Sequence, residues 1–532
     1  MGGFFDAIGY GSWVLTALLL VPLAGIAVVL AGSEAAARKA GLAVSLVVFL
    51  LSLPLWFLFD PATTGLTQFA VEADWIPQWG IGYRVGLDGI SVLLVLLTTA
   101  LMPITLLGSF RYIARRQKAF YAMMLLLEMG VIGAFVALDL FLFFMFWEVM
   151  LVPMYFIIGI WGGERRVYAA IKFFLFTAVG SLLMLVGILY LYFQYQRITG
   201  TASFAYVDLL QVPLTFREQY WLFGAFALAF AIKVPLFPLH TWLPDAHVEA
   251  PTPGSVILAA VLLKLGAYGF LRFLLPFFPQ AATHSVIVGI MLAFALAGII
   301  YAAWVAAVQP DAKKLVAYTS VAHMGFVVLG IFALTVQGLQ GAIIVMLSHG
   351  LSTGALFLML GMLYERRHTR LISEFGGLAA VAPLFATAFI ITALASIGLP
   401  GTSGFVGEFL ALVGAFQTFP IVAVIAATGV IFAAYYMLPM VQRVWFNPVD
   451  KPENRSMADL SVREIVVLAP LILGMIWMGV YPKPFLDRTE PTVSALVRFV
   501  DQRAVSVPDR VSVVPVADAE GVAVVLEEED PR

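Results

Sequence analysis

The sequence predicts an all-α polytopic membrane protein of about fourteen transmembrane helices, in which the interrupted seventh and twelfth spans mark two inverted five-helix repeats. Three observations lead to this reading. The 532 residues are 62% hydrophobic and only 12% charged, with a mean hydropathy of +0.98, whereas soluble domains carry roughly 25% charge. Apolar runs of about 20 residues, the length that crosses a hydrocarbon core about 30 Å thick, recur from end to end. Two of these runs contain Pro and Gly where a straight helix needs backbone donors and regular geometry.

The same composition excludes several classes of function. Cysteine is absent, so the chain has no disulfide framework, no thiolate zinc site and no ligand set for a conventional iron–sulfur cluster. Redox chemistry is therefore expected on other chains. The net charge of -2 and a pI near 6.3, with basic residues spread over short separate loops, give no nucleic-acid surface. Asp6 and the lack of a basic leader make residues 12 to 31 a retained first span. No phosphate-binding glycine loop, nucleophile elbow or zinc motif stands in a supporting context.

In chain order the predicted spans are 12 to 31, 40 to 59, 87 to 110, 119 to 137, 139 to 160, 168 to 193 and 219 to 245. They continue as 252 to 275, 284 to 308, 314 to 336, 339 to 364, 378 to 415, 417 to 442 and 462 to 481. The loops test this count. Connections from odd to even spans carry Arg38 and Lys39, then Arg111, Arg115, Arg116 and Lys118, then Arg165 and Arg166. Further along come Lys313 and Lys314, then Arg366, Arg367 and Arg370, and after the thirteenth span Arg443, Lys451, Arg455 and Arg463. The loop at 60 to 86 is mainly acidic, with Asp60, Glu72 and Asp74. Basic loops stay inside, so both termini are placed outside.

The seventh span contains Lys233, Pro235 and Pro238; the twelfth contains Pro400, Gly401 and Gly404, with Glu408 four residues beyond. Paired broken helices separated by an odd number of spans point to inverted repeats with an ion path at the breaks. The expected organisation is three N-terminal spans over 1–118, a first repeat of spans four to eight over 119–275, and a second of spans nine to thirteen over 284–442. The fourteenth span and an outer-face amphipathic segment occupy 462–500, followed by a charged tail over 501–532.

Ionisable groups inside these spans are the candidate site. Glu148, in FFMFWEVMLVPMYF, sits where a charge costs about 2.5 to 3.5 kcal/mol. It calls for a partner. Lys233 is the obvious one, since an opposite charge at about 4 Å is worth roughly 4 kcal/mol at an effective dielectric near 20; a static ion pair is the plainer alternative. Lys264 stands midway along SVILAAVLLKLGAYG with no acidic residue one turn away. A desolvated lysine releases its proton far more readily than one in water. His323 and His349 fall inside the tenth and eleventh spans, where an imidazole either fills a core position or relays protons, accepting at one nitrogen while donating at the other. His240, Asp245, His247 and Glu249 cluster between the seventh and eighth spans. They read as an inner-face entrance, with metal ligation as the alternative. Glu408 is the far-side terminal; Glu128 and Asp139 are weaker candidates.

Energies set what such a seam can do. Moving one charge across 150 mV takes roughly 3.5 kcal/mol, and a swing of three pK units supplies about 4 kcal/mol. A lysine that changes its proton affinity on this scale is able to drive a proton against a membrane potential. The chain has no nucleotide loop and no redox ligand, so the energy must come from a partner.

GLDGIS (86 to 91), FWEVMLVPMYFIIGIWGG (146 to 163), KVPLFPLHTWLPDAHVEAPTPGSVILAAVLLKLG (233 to 266), AYTSVAHMGF (317 to 326), SHGLSTGALF (348 to 357) and LPGTSGFVGEF (399 to 409) closely resemble the proton-translocating antiporter-like subunits of respiratory complex I. Glu408 in place of lysine is similar to the M-type branch of that family rather than the L and N types. The resemblance implies the fourteen-helix inverted-repeat fold and a proton path through Glu148, Lys233, Lys264 and Glu408, with His323 and His349 between. It also implies that NADH, flavin (FMN), iron–sulfur clusters and quinone sit on partner subunits, with L-, N- and K-like chains as neighbours in a bacterial inner membrane. Sodium/proton antiporter and membrane-bound hydrogenase subunits share the core and are the alternative assignment.

Overall fold

A computed structural model describes residues 2–63, 65 and 68–505. Twelve helices in it are long and apolar enough to cross a bilayer: Tyr10–Ala31, Glu34–Leu58, Ser91–Gly108, Gln117–Val136, Leu140–Trp161, Arg166–Thr199, Thr252–Phe277, Ser285–Ala307, Ala312–Phe332, Val336–Arg367, Pro420–Phe446 and Val462–Val480. The two interrupted spans complete the fourteen. The seventh span is interrupted as expected: its helix stops at Lys233 and resumes as Trp242–Glu249. Pro235 and Pro238 supply no N–H to continue it. The twelfth divides into Pro383–Ile397 and Ser403–Thr418. Gly398 and Gly401 in the gap have φ of 86° and 89°, a left-handed backbone that side chains with a Cβ resist.

Two further departures from straight helices border the site. The fifth span bends at Met150, between Leu140–Val149 and Leu151–Trp161, because Pro153 cannot donate to the carbonyl one turn earlier. The eighth contains two π-helical turns, Leu258–Leu262 and Phe270–Leu274, and the thirteenth ends in a third, Gln442–Phe446.

Two matching latches recur five spans apart. Asp139 Oδ1 caps the fifth span by accepting from the N–H of Phe141 and Leu142. Asp311 Oδ1 caps the tenth by accepting from the N–H of Lys313 and Lys314. Each aspartate also holds an arginine, Arg84 at 2.8 Å and Arg370 at 3.1 Å. Each lies in an antiparallel bridge to the connection after the sixth or eleventh span, Asp139 to Ala205 and Asp311 to Leu371. Five spans separate the two latches, so they sit on opposite faces of the membrane.

The predicted acidic loop at 60 to 86 is in fact a β-hairpin, β1 (Gln68–Ile76) and β2 (Ile81–Leu87), turning at Gly80 with φ 67°. The amphipathic segment is a helix, Lys483–Val505, running beyond the predicted boundary at 500; the rest of the expected tail, 506–532, lies outside the described residues. This helix clasps the outer face. Thr492 accepts from the Gly89 N–H, Arg488 stacks 3.8 Å over Trp56 and donates to its carbonyl, Gln340 donates to Leu486 O, and Arg503 donates to Leu210 O. All four anchors belong to ends or connections that the charge rule puts outside. The basic connections, in turn, contact one another: the Arg165 N–H donates to Glu249, Arg370 donates to Val248 O, and Arg366 grips Glu464.

Beneath the outer clasp, Asp88 of the GLDGIS motif pairs with Arg272, and Arg272 also donates to Tyr268. Both charges are buried. Asp88→Ala is expected to cost about 3–5 kcal/mol, because it strands a buried guanidinium. The loss should appear as a lower thermal midpoint of the solubilised protein.

Candidate functional site

Four of the predicted residues form a continuous buried row. Lys264 follows the first π-turn of the eighth span, and its Nζ donates to Ala259 O at 2.7 Å. The widened turn leaves this carbonyl accessible to a side chain. The same Nζ lies 2.6 Å from His349 Nδ1 on the eleventh span. The His349 ring is 5.7 Å, centroid to centroid, from that of His323 on the tenth. His323 Nδ1 then meets Glu408 Oε1 at 2.8 Å on the second half of the twelfth span, while Ser396 Oγ stands 3.3 Å from His323 Nε2.

The break in the twelfth span serves this geometry. A Cβ on Gly398 would come within 2.9 Å of Glu408 Oε2, so only glycine lets the turn close over the carboxylate. Ser348 and Ser403, whose hydroxyls are 2.7 Å apart, tie the residue before His349 to the start of the helix that carries Glu408.

At the other end the arrangement differs from the expected ion pair. Lys233 Nζ and Glu148 Oε1 are both buried without a hydrogen-bond partner. The ammonium instead faces aromatic rings, 5.2 Å from Trp147 and 5.6 Å from Phe173. Cation–π contact with two rings replaces part of the lost hydration. The main chain at Lys233 packs directly on the eighth span: a Cβ on Gly266 would approach Phe230 O to 2.7 Å and the Val234 N to 2.8 Å. Lys233 and Lys264 therefore sit on closely apposed backbones.

The entrance cluster does not converge on one point. His240 packs on Phe237, Tyr301 and Tyr318. Asp245 pairs with Lys172 of the sixth span at 2.7 Å, and Glu249 accepts from the Arg165 N–H. His247 stacks 4.6 Å over Phe357, fully buried, with neither nitrogen partnered. Among the described residues no three histidines or carboxylates gather as metal ligands. Glu128 is buried with both oxygens unpartnered, and Asp139 is taken up by its latch. Sequence reasoning missed Lys313, taken for a loop cation: it is buried and its Nζ donates to Ala250 O at 2.6 Å.

Comparison with known proteins identifies the family. The family described as NADH:quinone oxidoreductase/Mrp antiporter, TM, matches residues 137–433, which contain every member of the buried row. The chain belongs to that family. Within it, the chain is 47% identical to NADH-quinone oxidoreductase subunit M of Rhodobacter capsulatus over 501 residues, covering 91% of this chain and 96% of the relative. It is 44% identical to NADH-ubiquinone oxidoreductase chain 4 of Marchantia polymorpha over 488 residues, covering 91% and 97%. Among solved structures, a chain of respiratory complex I from Thermus thermophilus with bound NADH superposes with a TM-score of 0.84 at 35% identity, covering 91% of this chain and 99% of that one. The antiporter-like membrane fold is thus shared along nearly the whole of that chain.

Proposed function

We propose that protons cross this chain along Glu148, Lys233, Lys264, His349, His323 and Glu408, and that it serves as the M-type proton-translocating membrane subunit of an NADH:quinone oxidoreductase. The observation that carries this reading is the unbroken contact row from Lys264 Nζ through two imidazoles to Glu408, running between the two repeats and ending at a broken helix. The first repeat, 119–275, supplies Glu148, Lys233 and Lys264, and the second, 284–442, supplies the histidines and Glu408. NADH, FMN, iron–sulfur clusters and quinone act on partner subunits. L-, N- and K-like membrane chains pass the redox energy on.

Glu408→Gln tests the far end. Glutamine keeps the shape and a hydrogen bond to His323 but neither takes up nor releases a proton. Pumping per NADH oxidised in sealed vesicles should fall to a small fraction, with assembly and NADH oxidation by an artificial acceptor retained; near-normal pumping would leave the row as structural pairing only. The family's antiporter branch supports a second reading, sodium/proton exchange. It predicts a sodium-driven pH gradient in vesicles without NADH, and absence of that response sinks it.

A further inference from the structure

We infer that the apolar groove between the second, third, eleventh and fourteenth spans, in the outer half of the membrane, holds an acyl chain of an anionic phospholipid whose phosphate is bound by Arg488. The groove measures about 340 Å³, within the range of pockets that hold a small ligand. Phe49, Leu53 and Trp56 form one helical stripe of the second span, and they share the groove with Leu97 of the third, Leu351 of the eleventh and Gly474 of the fourteenth. From Phe49 to Trp56 it runs about 10 Å along the helix axis, in the direction of the lipid tails. Every lining residue is apolar or aromatic, which suits hydrocarbon and offers a polar ligand no partner. Room for a chain exists because Gly474 has no side chain: a Cβ there would come within 3.1 Å of Leu351. Leu347 and Leu351, on the groove side of the eleventh span, stand two residues either side of His349, so the groove and the histidine row occupy different faces of that helix.

The outer mouth supplies the charge. Trp56, Trp477 and Phe485 pack together there, with ring centroids 4.9 to 5.6 Å apart, an aromatic collar of the kind that borders lipid headgroups. Arg488 lies 3.8 Å over the Trp56 ring. Its Nε and Nη2 donate to Trp56 O and its Nη1 to Pro484 O, which leaves two of the five guanidinium N–H groups for an anion. Among the described residues no carboxylate pairs with Arg488. Asp487 is taken by Lys483, and Glu490, two residues on, faces another side of the helix. A half-buried guanidinium with spare donors and no counter-ion, placed at the mouth of a wholly apolar groove, matches a phosphate joined to a hydrocarbon chain. A net negative headgroup is preferred, because a zwitterionic one brings its own cation to the same spot.

The test uses the assembled complex in lipid nanodiscs doped with phosphatidylglycerol or phosphatidylcholine that carries a diazirine in its acyl chain, followed by mapping of the cross-linked peptides. At equal low mole fraction, phosphatidylglycerol should label residues 49–57 and 473–478 about tenfold more than phosphatidylcholine, the factor expected from one charge-assisted hydrogen bond. Equal labelling by the two lipids overturns the Arg488 assignment. That comparison needs no variant, so it decides even where a substitution prevents assembly. Arg488→Gln, which keeps a donor for Trp56 O but loses the charge, should erase the preference, and Arg488→Lys should retain it; a preference that survives Arg488→Gln overturns the proposal. Gly474→Leu fills the groove and should abolish labelling of both peptides, while the exposed face of Arg166–Thr199 is labelled as before. Unchanged labelling of the two peptides in Gly474→Leu overturns the groove. Labelling of them by a quinone with a diazirine in its isoprenoid tail, and by neither phospholipid, overturns the lipid itself.

Discussion

Lys264→Met is expected to abolish nearly all NADH-driven proton pumping while the complex still assembles. Among the described residues, Lys264 is the ionisable side chain of the eighth span that touches the histidine row, and it is fully buried. Without it, a proton must reach His349 as an unshielded charge. Even after relaxation, burying an ion costs several kcal/mol, and every 1.4 kcal/mol of barrier is a factor of ten in rate. A loss of more than about a hundredfold in the transfer step follows. Lys264→Arg is the informative control. It preserves positive charge next to His349, so a purely structural cation would be rescued; a proton carrier would not, since arginine stays protonated. Pumping measured by quenching of a pH-sensitive dye, normalised to the amount of assembled complex, separates the two.

Glu148→Gln and Lys233→Ala should each remove most of the pumping, and the double variant should be no worse than the weaker single. Lys233 Nζ and Glu148 Oε1 are buried and not locked in a bridge, which suits a pair that must change its protonation during turnover. Groups acting as one unit give strongly non-additive losses. Additive losses would mean that the two residues act separately, and near-normal pumping by either single variant would remove that residue from the path. Lys233→Ala also empties the cage of Trp147 and Phe173, so assembly has to be measured for each variant; Lys233→Met fills the same space without the charge.

Much of the fold was legible in the residue order because the bilayer imposes a length. Spans of about 20 apolar residues are obligatory, and the basic connections fix their direction. The two breaks were legible as well: proline lacks a donor wherever it stands, and Pro235 and Pro238 end the helix at Lys233. The hairpin over Gln68–Leu87 was not, since a membrane-scale reading of a loop passes over a nine-residue strand and its turn. Nor were the π-turns of the eighth span, whose residues are ordinary helix formers; they arise from packing. Lys313 was misread for a related reason. In sequence it stands among loop cations, and only the fold buries it under Ala250.

By itself the sequence determined which groups are ionisable within the membrane, Glu148, Lys233, Lys264, His323, His349 and Glu408, because an uncompensated charge in hydrocarbon stands out against any apolar run. Only the tertiary structure decided which of them touch. The window of the eighth span is buried on every side, and those of the tenth and eleventh are 94% buried, so these helices carry no polar stripe to reveal which face meets which neighbour. Rotation about each axis, set by packing against the surrounding spans, brings Lys264 to His349 and His323 to Glu408. The same packing holds Glu148 and Lys233 apart from a direct bridge, with the ammonium turned to aromatic rings.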